Sequence, residues 1–366
     1  MLENRSVVWE DVFSYTATGR PSIAYSWLAE IFFHVLVDRF GLVSMIWLQT
    51  AVAVAGVGFV YLACRASGAR LTVAVPVSAL AAISMSFAWG IRPVIFTLLF
   101  LSILSWALRE PKAERHLVWI APAVTALWAN VHILFVAGVA LVGFAAVCRE
   151  LEGAPSRSLR VACGLAALAT LATPYGGHLV AYVAVMARQP AIVPEVGEFQ
   201  SPDFGGELGL AFGALLFPAV IVIALSRRRM SLFELGTFLG SLAVGLMAKR
   251  NMALFAILAA PVVARHLEAI LPPSKASRVS PRPAFVAVNV LLAAFGVAYL
   301  ASQAPRAGDV VRGGELPVRA VDYLLESHPG ARLFNDFNWG GYVMYRGFPA
   351  MRVSIDGRTQ VYEHLL

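Results

Sequence analysis

The stretch LVSMIWLQTAVAVAGVGFVYLA, residues 42–63, runs for 22 positions without a charged side chain. A helix crosses the hydrocarbon core of a bilayer in about 20 apolar residues, because each residue advances it by about 1.5 Å. The whole chain shares this character, since 59% of its 366 residues are hydrophobic and 14% are charged. Soluble domains are only about 45–50% apolar. The composition therefore predicts a helical protein that crosses a membrane several times.

Further apolar runs follow along the chain, and together they predict an all-α polytopic membrane protein with about ten transmembrane or half-spanning helices. After residues 42–63, the runs lie at 71–88, 94–108, 116–128, 133–148, 161–172, 179–187, 208–225, 232–247, 253–264 and 284–300. Residues 26–40 also have helical periodicity, but they contain Glu30, His34, Asp38 and Arg39. So many charges predict a helix that lies along the membrane interface.

The net charge of +7 at pH 7 comes from Lys and Arg residues that fall mainly in short loops between the apolar runs. In a soluble protein this charge would suggest nucleic acid, but here it matches the excess of Lys and Arg in cytoplasmic loops. If Met1 lies outside, the basic clusters at 65–70, 109–115, 149–160, 227–229 and 265–282 all fall inside. This orientation requires turns at the outer face around residues 130–132 and 175–176.

The same orientation divides the chain into three parts. Residues 1–41 form the first outer loop with the interfacial helix, 42–303 the membrane domain, and 304–366 a partial extracytoplasmic α/β segment. In the last part we expect a helix at 317–327, a strand at 332–335, a turn and helix through 338–345 and a strand at 352–355. An outer position for Met1 predicts a further membrane helix upstream, and the α/β segment ends before its sheet is complete.

Polar residues that interrupt the membrane-like sequence fall on the predicted outer side. Ionisable groups at membrane depth cost about 2.5–3.5 kcal/mol on insertion scales, so they usually mark a pathway or a site. Arg92, Lys249 and Arg250 also disobey the charge bias, and therefore predict an anionic ligand at the membrane surface. The complete set is Glu10, Asp11, Glu30, Arg92, Asn130, His132, Tyr175, His178, Glu198, Gln200, Asp203, Lys249, Arg250 and Asn251.

Eight of these residues are predicted to bind the substrate: Glu30, Arg92, Asn130, His132, Tyr175, Glu198, Lys249 and Arg250. Several of them also have a structural interpretation. Glu30 is able to bond loop amides, and Arg92 to extend toward lipid headgroups as an interface anchor. Asn130 and His132 suit hydrogen bonds to neighbouring helices better than they suit a metal. Tyr175 suits a turn.

No metal ligands or cofactor are assigned. The three cysteines, Cys64, Cys148 and Cys163, are too scattered for a metal or disulfide framework and are predicted to be buried thiols. Glu198 and Asp203 fall in a long outer loop. There a divalent cation and the acceptor both remain open as their ligands, and simple surface exposure is the alternative.

Several motifs resemble one family. The pattern D-x-F-S-Y-T-x-x-G-x-P at residues 11–21, followed by W-L-x-E at 27–30, is similar to the first outer loop of bacterial multispanning proteins of the GT-C glycosyltransferase class. The likeness covers most of the chain, but Thr173 stands where the family pattern has Asn. The resemblance to this family continues through LWANVH at 127–132, PYG at 174–176, EFQSP at 198–202, KRN at 249–251, NDFNWGGY at 335–342 and DGR at 356–358.

The resemblance implies an enzyme that takes a sugar from a polyprenyl-phosphate carrier and transfers it to an acceptor of the cell envelope, outside the cytoplasmic (inner) membrane. It places an acidic residue of the first outer loop at the reacting centre, here Asp11, with Glu10 as second choice. A carboxylate there accepts the proton that an acceptor hydroxyl loses on attack. Arg92, Lys249 and Arg250 would then stabilise the charge on the departing lipid phosphate.

Two other function classes fit the composition. A transporter or flippase of a lipid-linked substrate would place charges midway through helices of facing repeats, whereas this sequence has its polar groups at one face and no internal repeat. A non-catalytic envelope scaffold would bind through its soluble tail, where Asp336, Trp339, Asp356 and Arg358 are candidates. The glycines at 340 and 341 are predicted as turn residues, since a glycine pair permits positive φ. Asp11→Asn separates an enzyme, which loses turnover, from a scaffold.

Overall fold

The computed structural model describes residues 7–186, 197–272, 316–358 and 361–362. These residues divide into two compact units. The first contains the described residues of 1–8, 23–33 and 48–271, and the second those of 9–22, 34–47 and 272–366. The apolar run predicted at 284–300 and the basic residues predicted inside after Arg265 lie outside the described residues.

Twelve helices in the described part of the chain precede residue 272. They are α1 (Trp27–Phe40), α2 (Val43–Ala66), α3 (Leu71–Met85), α4 (Val94–Ala107), α5 (Pro111–Glu114), α6 (Leu117–Val131), α7 (Phe135–Leu151), α8 (Arg157–Ala169), α9 (Gly177–Met186), α10 (Glu207–Leu225), α11 (Leu232–Met247) and α12 (Met252–Ile270). Short 3₁₀ turns lie at Ser86–Ala88, Gly197–Phe199 and Lys249–Asn251.

Four of the described helical segments are long and apolar enough to cross a bilayer. They are Val43–Ala66, Leu71–Ala88, Glu207–Leu225 and Lys249–Ile270. The helices Val94–Ala107, Leu117–Val131, Gly177–Met186 and Leu232–Met247 are apolar but shorter. By length and composition the chain is a helical membrane protein, as the sequence predicted.

Helix ends differ from the predictions where capping or packing extends a helix beyond its apolar run. α8 begins at Arg157 rather than at residue 161, because the Ser156 side chain caps it by accepting from the Leu159 amide at 3.3 Å. α12 continues to Ile270 and therefore contains Arg265, which was predicted in a loop. α6 includes Asn130, and the break falls at His132, whose φ of −161° and ψ of 143° are extended.

The core of the first unit is built around α12, which packs against α3, α4, α10 and α11. Most of its residues are buried, and Phe255, Ala256 and Ile257 are completely so. Its many alanines let neighbouring helix backbones approach closely, which is how helices associate in a membrane.

The second unit combines residues 9–22, which we call the acidic segment, with residues 34–47 and the C-terminal tail. It contains α13 (Val318–Ser327), β1 (Arg332–Leu333), a 3₁₀ turn at Phe337–Trp339, α14 (Gly340–Gly347) and β2 (Arg352–Val353). β1 and β2 are parallel, and the backbone of residues 13–15 pairs with β2 on the same sheet. The Tyr15 amide donates to the Val353 carbonyl at 3.1 Å, and the Val353 amide donates to the Phe13 carbonyl at 3.3 Å.

Both strands are shorter than predicted because side chains replace the backbone ladder beyond them. The Asn335 amide donates to the Ser354 hydroxyl at 3.1 Å, and the Ser354 amide donates to the Asn335 side-chain oxygen at 2.9 Å. These reciprocal bonds keep the two chain segments adjacent after the strands end.

Of the two glycines at the start of α14, Gly340 serves close packing. Both glycines lie in α14 and Gly340 has φ of −53°, so the prediction of a turn at these glycines was wrong. A Cβ on Gly340 would lie 2.3 Å from the Ile355 carbonyl oxygen, whereas a Cβ on Gly341 would meet nothing within 4 Å.

Candidate functional sites

Three cations meet a single short segment in the first unit. The Arg92 guanidinium lies 2.6 Å from the Glu198 carboxylate. The Arg250 guanidinium lies over the Phe199 ring, 4.0 Å from its centroid. Next along the segment, Gln200 accepts from the Lys249 amide at 2.8 Å and from its ammonium group at 3.4 Å. We call these cations and residues 198–200 the cation cluster.

The cations reach the cluster from the beginnings of two helices. Arg92 precedes α4, and Lys249 and Arg250 form the 3₁₀ turn that leads into α12. Arg92 remains 49% exposed and Arg250 is also exposed, so the cluster is open to a ligand. The sequence predicted an anionic ligand from Arg92, Lys249 and Arg250, because these cations break the charge bias. The structure brings all three to residues 198–200.

His132 lies beside this cluster in a defined protonation state. The Trp128 indole donates to the Thr97 hydroxyl at 2.8 Å, and Thr97 lies 2.8 Å from His132 Nδ1. The Leu134 amide also donates to Nδ1 at 3.4 Å. Nδ1 is therefore an acceptor, so the Thr97 hydroxyl donates to it and the proton of the neutral ring is on Nε2. Burial, reinforced by the positive charges of Arg250 and Arg92, lowers the pKa of His132 to about 4.

Tyr25 is the aromatic neighbour of His132. The two rings meet edge to face with 6.4 Å between centroids. Burial raises the pKa of the Tyr25 hydroxyl, and the charge of Glu30 adds to this effect while that of Arg250 opposes it. Glu30 itself is exposed in the first turn of α1. At neutral pH the cluster is therefore bordered by an uncharged imidazole and an uncharged phenol.

Asn130 joins three segments of the first unit. Its side-chain oxygen accepts from the Trp27 indole at 2.9 Å, and its amide nitrogen donates to the carbonyls of Ala126 and Ala172, each at 2.8 Å. The interpretation of Asn130 as a residue that bonds neighbouring segments accounts for the contacts with Trp27 and Ala172. The contact with Ala126 lies within α6 itself. Its predicted place among the substrate-binding residues stays a prediction.

Tyr175 bonds the backbone of the first unit at Val8 and Ala24. Its buried hydroxyl donates to the Val8 carbonyl at 2.9 Å and accepts from the Ala24 amide at 3.2 Å. These two residues lie on either side of residues 9–22 in the chain. The side chain therefore positions backbone, and ligand contact by Tyr175 also stays a prediction.

Asp11 belongs to the second unit, where it forms a buried ionic network with the tail. The Asp11 side chain is buried, and its Oδ1 accepts from Arg358 Nη1 at 2.6 Å. The same arginine donates through Nη2 to Asp356 at 2.6 Å. The Tyr362 hydroxyl donates to the same oxygen, Asp356 Oδ2, and accepts from Arg358 Nη2 at 3.5 Å. One guanidinium thus bridges two buried carboxylates.

The local backbone completes the coordination of Asp11. Oδ1 also accepts from the Phe13 amide at 3.3 Å, and Oδ2 accepts from the Ser14 amide at 3.0 Å and from the Ser14 hydroxyl. A carboxylate offers about four acceptor positions, and protein donors take all of them. Glu10, the second predicted catalytic residue, is exposed.

Electrostatics hold Asp356 ionised. Burial alone would raise the pKa of the Asp356 carboxyl, but hydrogen bonds and positive charge from Arg358 outweigh it and hold that pKa below its usual range. Burial and the neighbouring Asp356 raise the pKa of the Tyr362 hydroxyl, which therefore stays a donor.

The remaining tail candidates have local roles or are exposed. Asp336 caps the 3₁₀ turn by accepting from the Asn338 amide at 2.8 Å, and Trp339 is 42% exposed. Within the described residues, no three His, Cys, Asp or Glu side chains come together as a metal site.

Sequence reasoning missed Ser14, Thr97 and Tyr362 as site residues. The spacing of Asp356 and Arg358 was a readable sign of a local ion pair. Nothing in the sequence indicated that Asp11, so distant along the chain, would share the same arginine.

A comparison of the chain with protein-family models gives no match, and neither does a comparison with curated proteins.

Proposed function

We propose that this protein is a GT-C-type membrane glycosyltransferase that transfers a sugar from a polyprenyl-phosphate carrier to an envelope acceptor. The observation that carries the proposal is the cation cluster, in which Arg92, Lys249 and Arg250 converge on residues 198–200. A lipid phosphate is an anion presented at the end of an apolar chain. Cations at the beginnings of apolar helices match both parts of such a ligand.

The cluster also suits the change in charge during transfer. The bond between sugar and phosphate breaks toward the phosphate, which gains negative charge as it leaves. Exposed guanidinium donors from Arg92 and Arg250 are able to bind its oxygens, and Arg is well suited to phosphate because its donors form a rigid fork. Glu198 orients Arg92 before the ligand arrives.

We assign the cluster to the outer face of the cytoplasmic membrane. Support comes from the distribution of charge, since the larger basic clusters fall in the alternate set of loops. In this orientation the chain has about ten transmembrane or half-spanning helices, and the second unit is extracytoplasmic.

For the catalytic base we keep Asp11 first and Glu10 second. Asp11 must exchange one of its present donors for the acceptor hydroxyl in order to accept a proton, and the exposed carboxylate of Glu10 needs no such exchange. Asp11→Asn and Glu10→Gln therefore distinguish the two. The variant that loses turnover while keeping the thermal stability of wild type identifies the base.

A non-catalytic scaffold is the second candidate, and one observation favours it. The acceptor positions of Asp11 are all taken by protein donors, as in a structural ion pair. In that case Asp11→Asn lowers stability and has no activity to abolish.

Binding of the carrier lipid tests the main proposal directly. Purified protein in detergent is titrated with undecaprenyl phosphate, and bound lipid is counted by native mass spectrometry. Arg92→Gln and Arg250→Gln should each weaken binding about tenfold, which corresponds to about 1.4 kcal/mol. Arg346→Gln, at an exposed ion pair of the tail, is the matched control. Equal binding by all variants would exclude the cation cluster as the lipid-phosphate site.

A further inference from the structure

A second basic site lies in the first unit, at the opposite ends of the helices that carry the cation cluster. Arg92 precedes α4 and Arg109 follows it, so a helix of 14 residues separates them, which is about 21 Å. An open cavity of about 470 Å³ lies at the Arg109 end. Four arginines and three glutamates line it: Arg109, Arg149, Arg228, Arg265, Glu114, Glu152 and Glu234.

The glutamates of this cavity are already engaged. Glu114 pairs with Arg149 at 3.3 Å. Glu234 pairs with Arg265 and also caps α11, where it accepts from the Ser231 amide at 2.9 Å. Glu152 accepts from the Leu232 amide at 2.7 Å.

The remaining two arginines have no carboxylate partner among the described residues. Arg228 is exposed on the loop after α10. Arg109 donates through Nη1 to the backbone and hydroxyl oxygens of Ser105, at 2.8 and 2.9 Å. Its guanidinium also lies 5.3 Å from the centroid of the Phe233 ring. The cavity therefore keeps an excess of positive charge after its internal pairs are formed.

Arg109 Nη2 is the decisive atom. It is buried, and no hydrogen-bond partner for it lies within the described residues. A buried, unsatisfied donor on a charged group carries a large desolvation cost. Burial lowers the pKa of Arg109 to about 10, so the group remains a cation at neutral pH. Arg109 lines the cavity, so an anionic group there would balance its charge, and a turn of the guanidinium toward the cavity would let Nη2 donate to that group.

We propose that this cavity binds a phosphate group, with Arg109 Nη2 as the buried donor and Arg228 as the second cation. The phosphate belongs either to a lipid headgroup or to a free phosphate. The apolar helices α4 and α7 end at the cavity, and α11 begins there. Basic pockets between the ends of membrane helices are suited to anionic headgroups. This site is separate from the proposed transferase site and does not depend on it.

Native mass spectrometry of the full chain in detergent tests the site with three probes: phosphatidylglycerol, phosphatidylcholine and inorganic phosphate. Arg109→Gln and Arg228→Gln are compared with Arg160→Gln. Arg160 is a matched control because it is an exposed arginine paired with Glu150 and does not line the cavity. Thermal unfolding of each variant shows which ones fold, and Arg228→Gln, on an exposed loop, keeps the test valid if Arg109→Gln does not.

We expect phosphatidylglycerol to bind in preference to phosphatidylcholine, and its affinity to fall about tenfold or more in the cavity variants but not in Arg160→Gln. Binding of inorganic phosphate with the same sensitivity to Arg109 and Arg228 would support the site and identify free phosphate as its ligand. Equal affinities for the two lipids without phosphate binding, or an equal loss in all three variants, would overturn the proposal.

Discussion

The Arg358 guanidinium donates to the Asp11 carboxylate at 2.6 Å across 347 residues of chain. Residues 13–15 extend the sheet beside β2 in the same unit, so the ion pair and the strand pairing reinforce each other. The acidic segment that looked like an isolated outer loop is therefore part of the folded tail. Its conformation depends on residues at the far end of the sequence.

Replacing Arg358 by Gln should destabilise the second unit by about 3 kcal/mol, because Asp11 and Asp356 would remain buried without their shared counter-charge. Hydrogen–deuterium exchange of peptides that cover residues 332–358 measures this local stability in detergent. Faster exchange is expected there, with residues 94–131 of the first unit unchanged.

Arg346→Gln is the control for the loss of an ion pair. Arg346 pairs with Asp322 at 2.7 Å, but both side chains are more than 40% exposed. Exposed pairs contribute about 1 kcal/mol or less. If Arg346→Gln accelerates exchange as much as Arg358→Gln, burial of the Asp11 network is not the source of its stability.

The stability of the second unit should fall in acid. The pKa of Asp356 is held below its usual range in the folded protein, whereas an unfolded Asp titrates near about 3.9. The ionised form is favoured by folding, so its contribution is fully present above about pH 4 and is lost as pH falls through the folded pKa. Thermal melts between pH 3 and 7 measure this loss. Asp356→Asn should flatten the acid limb, and an unchanged limb would contradict the assignment.

Alanine at Gly340 should destabilise α14 by about 2 kcal/mol, because its Cβ would lie within 2.3 Å of the Ile355 carbonyl oxygen and overpacking costs about 1–3 kcal/mol. Alanine at Gly341 meets open space and should raise stability by up to about 1 kcal/mol. Hydrogen–deuterium exchange rates of the α14 amides compare the two alanine variants. Similar effects at both positions would show that the close approach of α14 and β2 is not required.

Tyr175→Phe should loosen the backbone at Val8 and Ala24, on either side of residues 9–22. The change removes the hydroxyl that bonds the Val8 carbonyl and the Ala24 amide, and an unsatisfied backbone group costs about 1–3 kcal/mol. Limited proteolysis should cleave residues 9–22 faster in this variant. Tyr345→Phe, at a 72% exposed position, should leave the rate unchanged, and equal rates in both variants would contradict the role of Tyr175.

Apolar runs in the sequence predicted the bounds of several helices closely, because a helix that lies in a membrane must be apolar along most of its length. Composition therefore reports directly on structure for α2, α3, α10 and α11. It was less informative at the ends of α8 and α12, where capping by Ser156 and helix packing carry the helix into charged residues. The short 3₁₀ turn at Lys249–Asn251 left no periodic signal.

The site was partly predictable for a related reason. Arg92, Lys249 and Arg250 stood out because they violate the charge bias, and the structure brings them to one segment. The coordination of Asp11 was not predictable, since an ion pair depends on tertiary distance and not on spacing in the sequence. Hydroxyl groups such as Ser14 and Thr97 gave no signal because they are common in every environment.

Glu198, Phe199 and Gln200 are consecutive residues, and each of them contacts a different cation. Neighbouring backbone units cannot shift independently, so an anion that draws Arg92 away from Glu198 also disturbs the contacts of Lys249 and Arg250. The affinity of one cation for an incoming anion is then linked to that of the other two. Such mechanical linkage would favour a ligand whose several charged oxygens meet all three cations at once over one that meets a single cation.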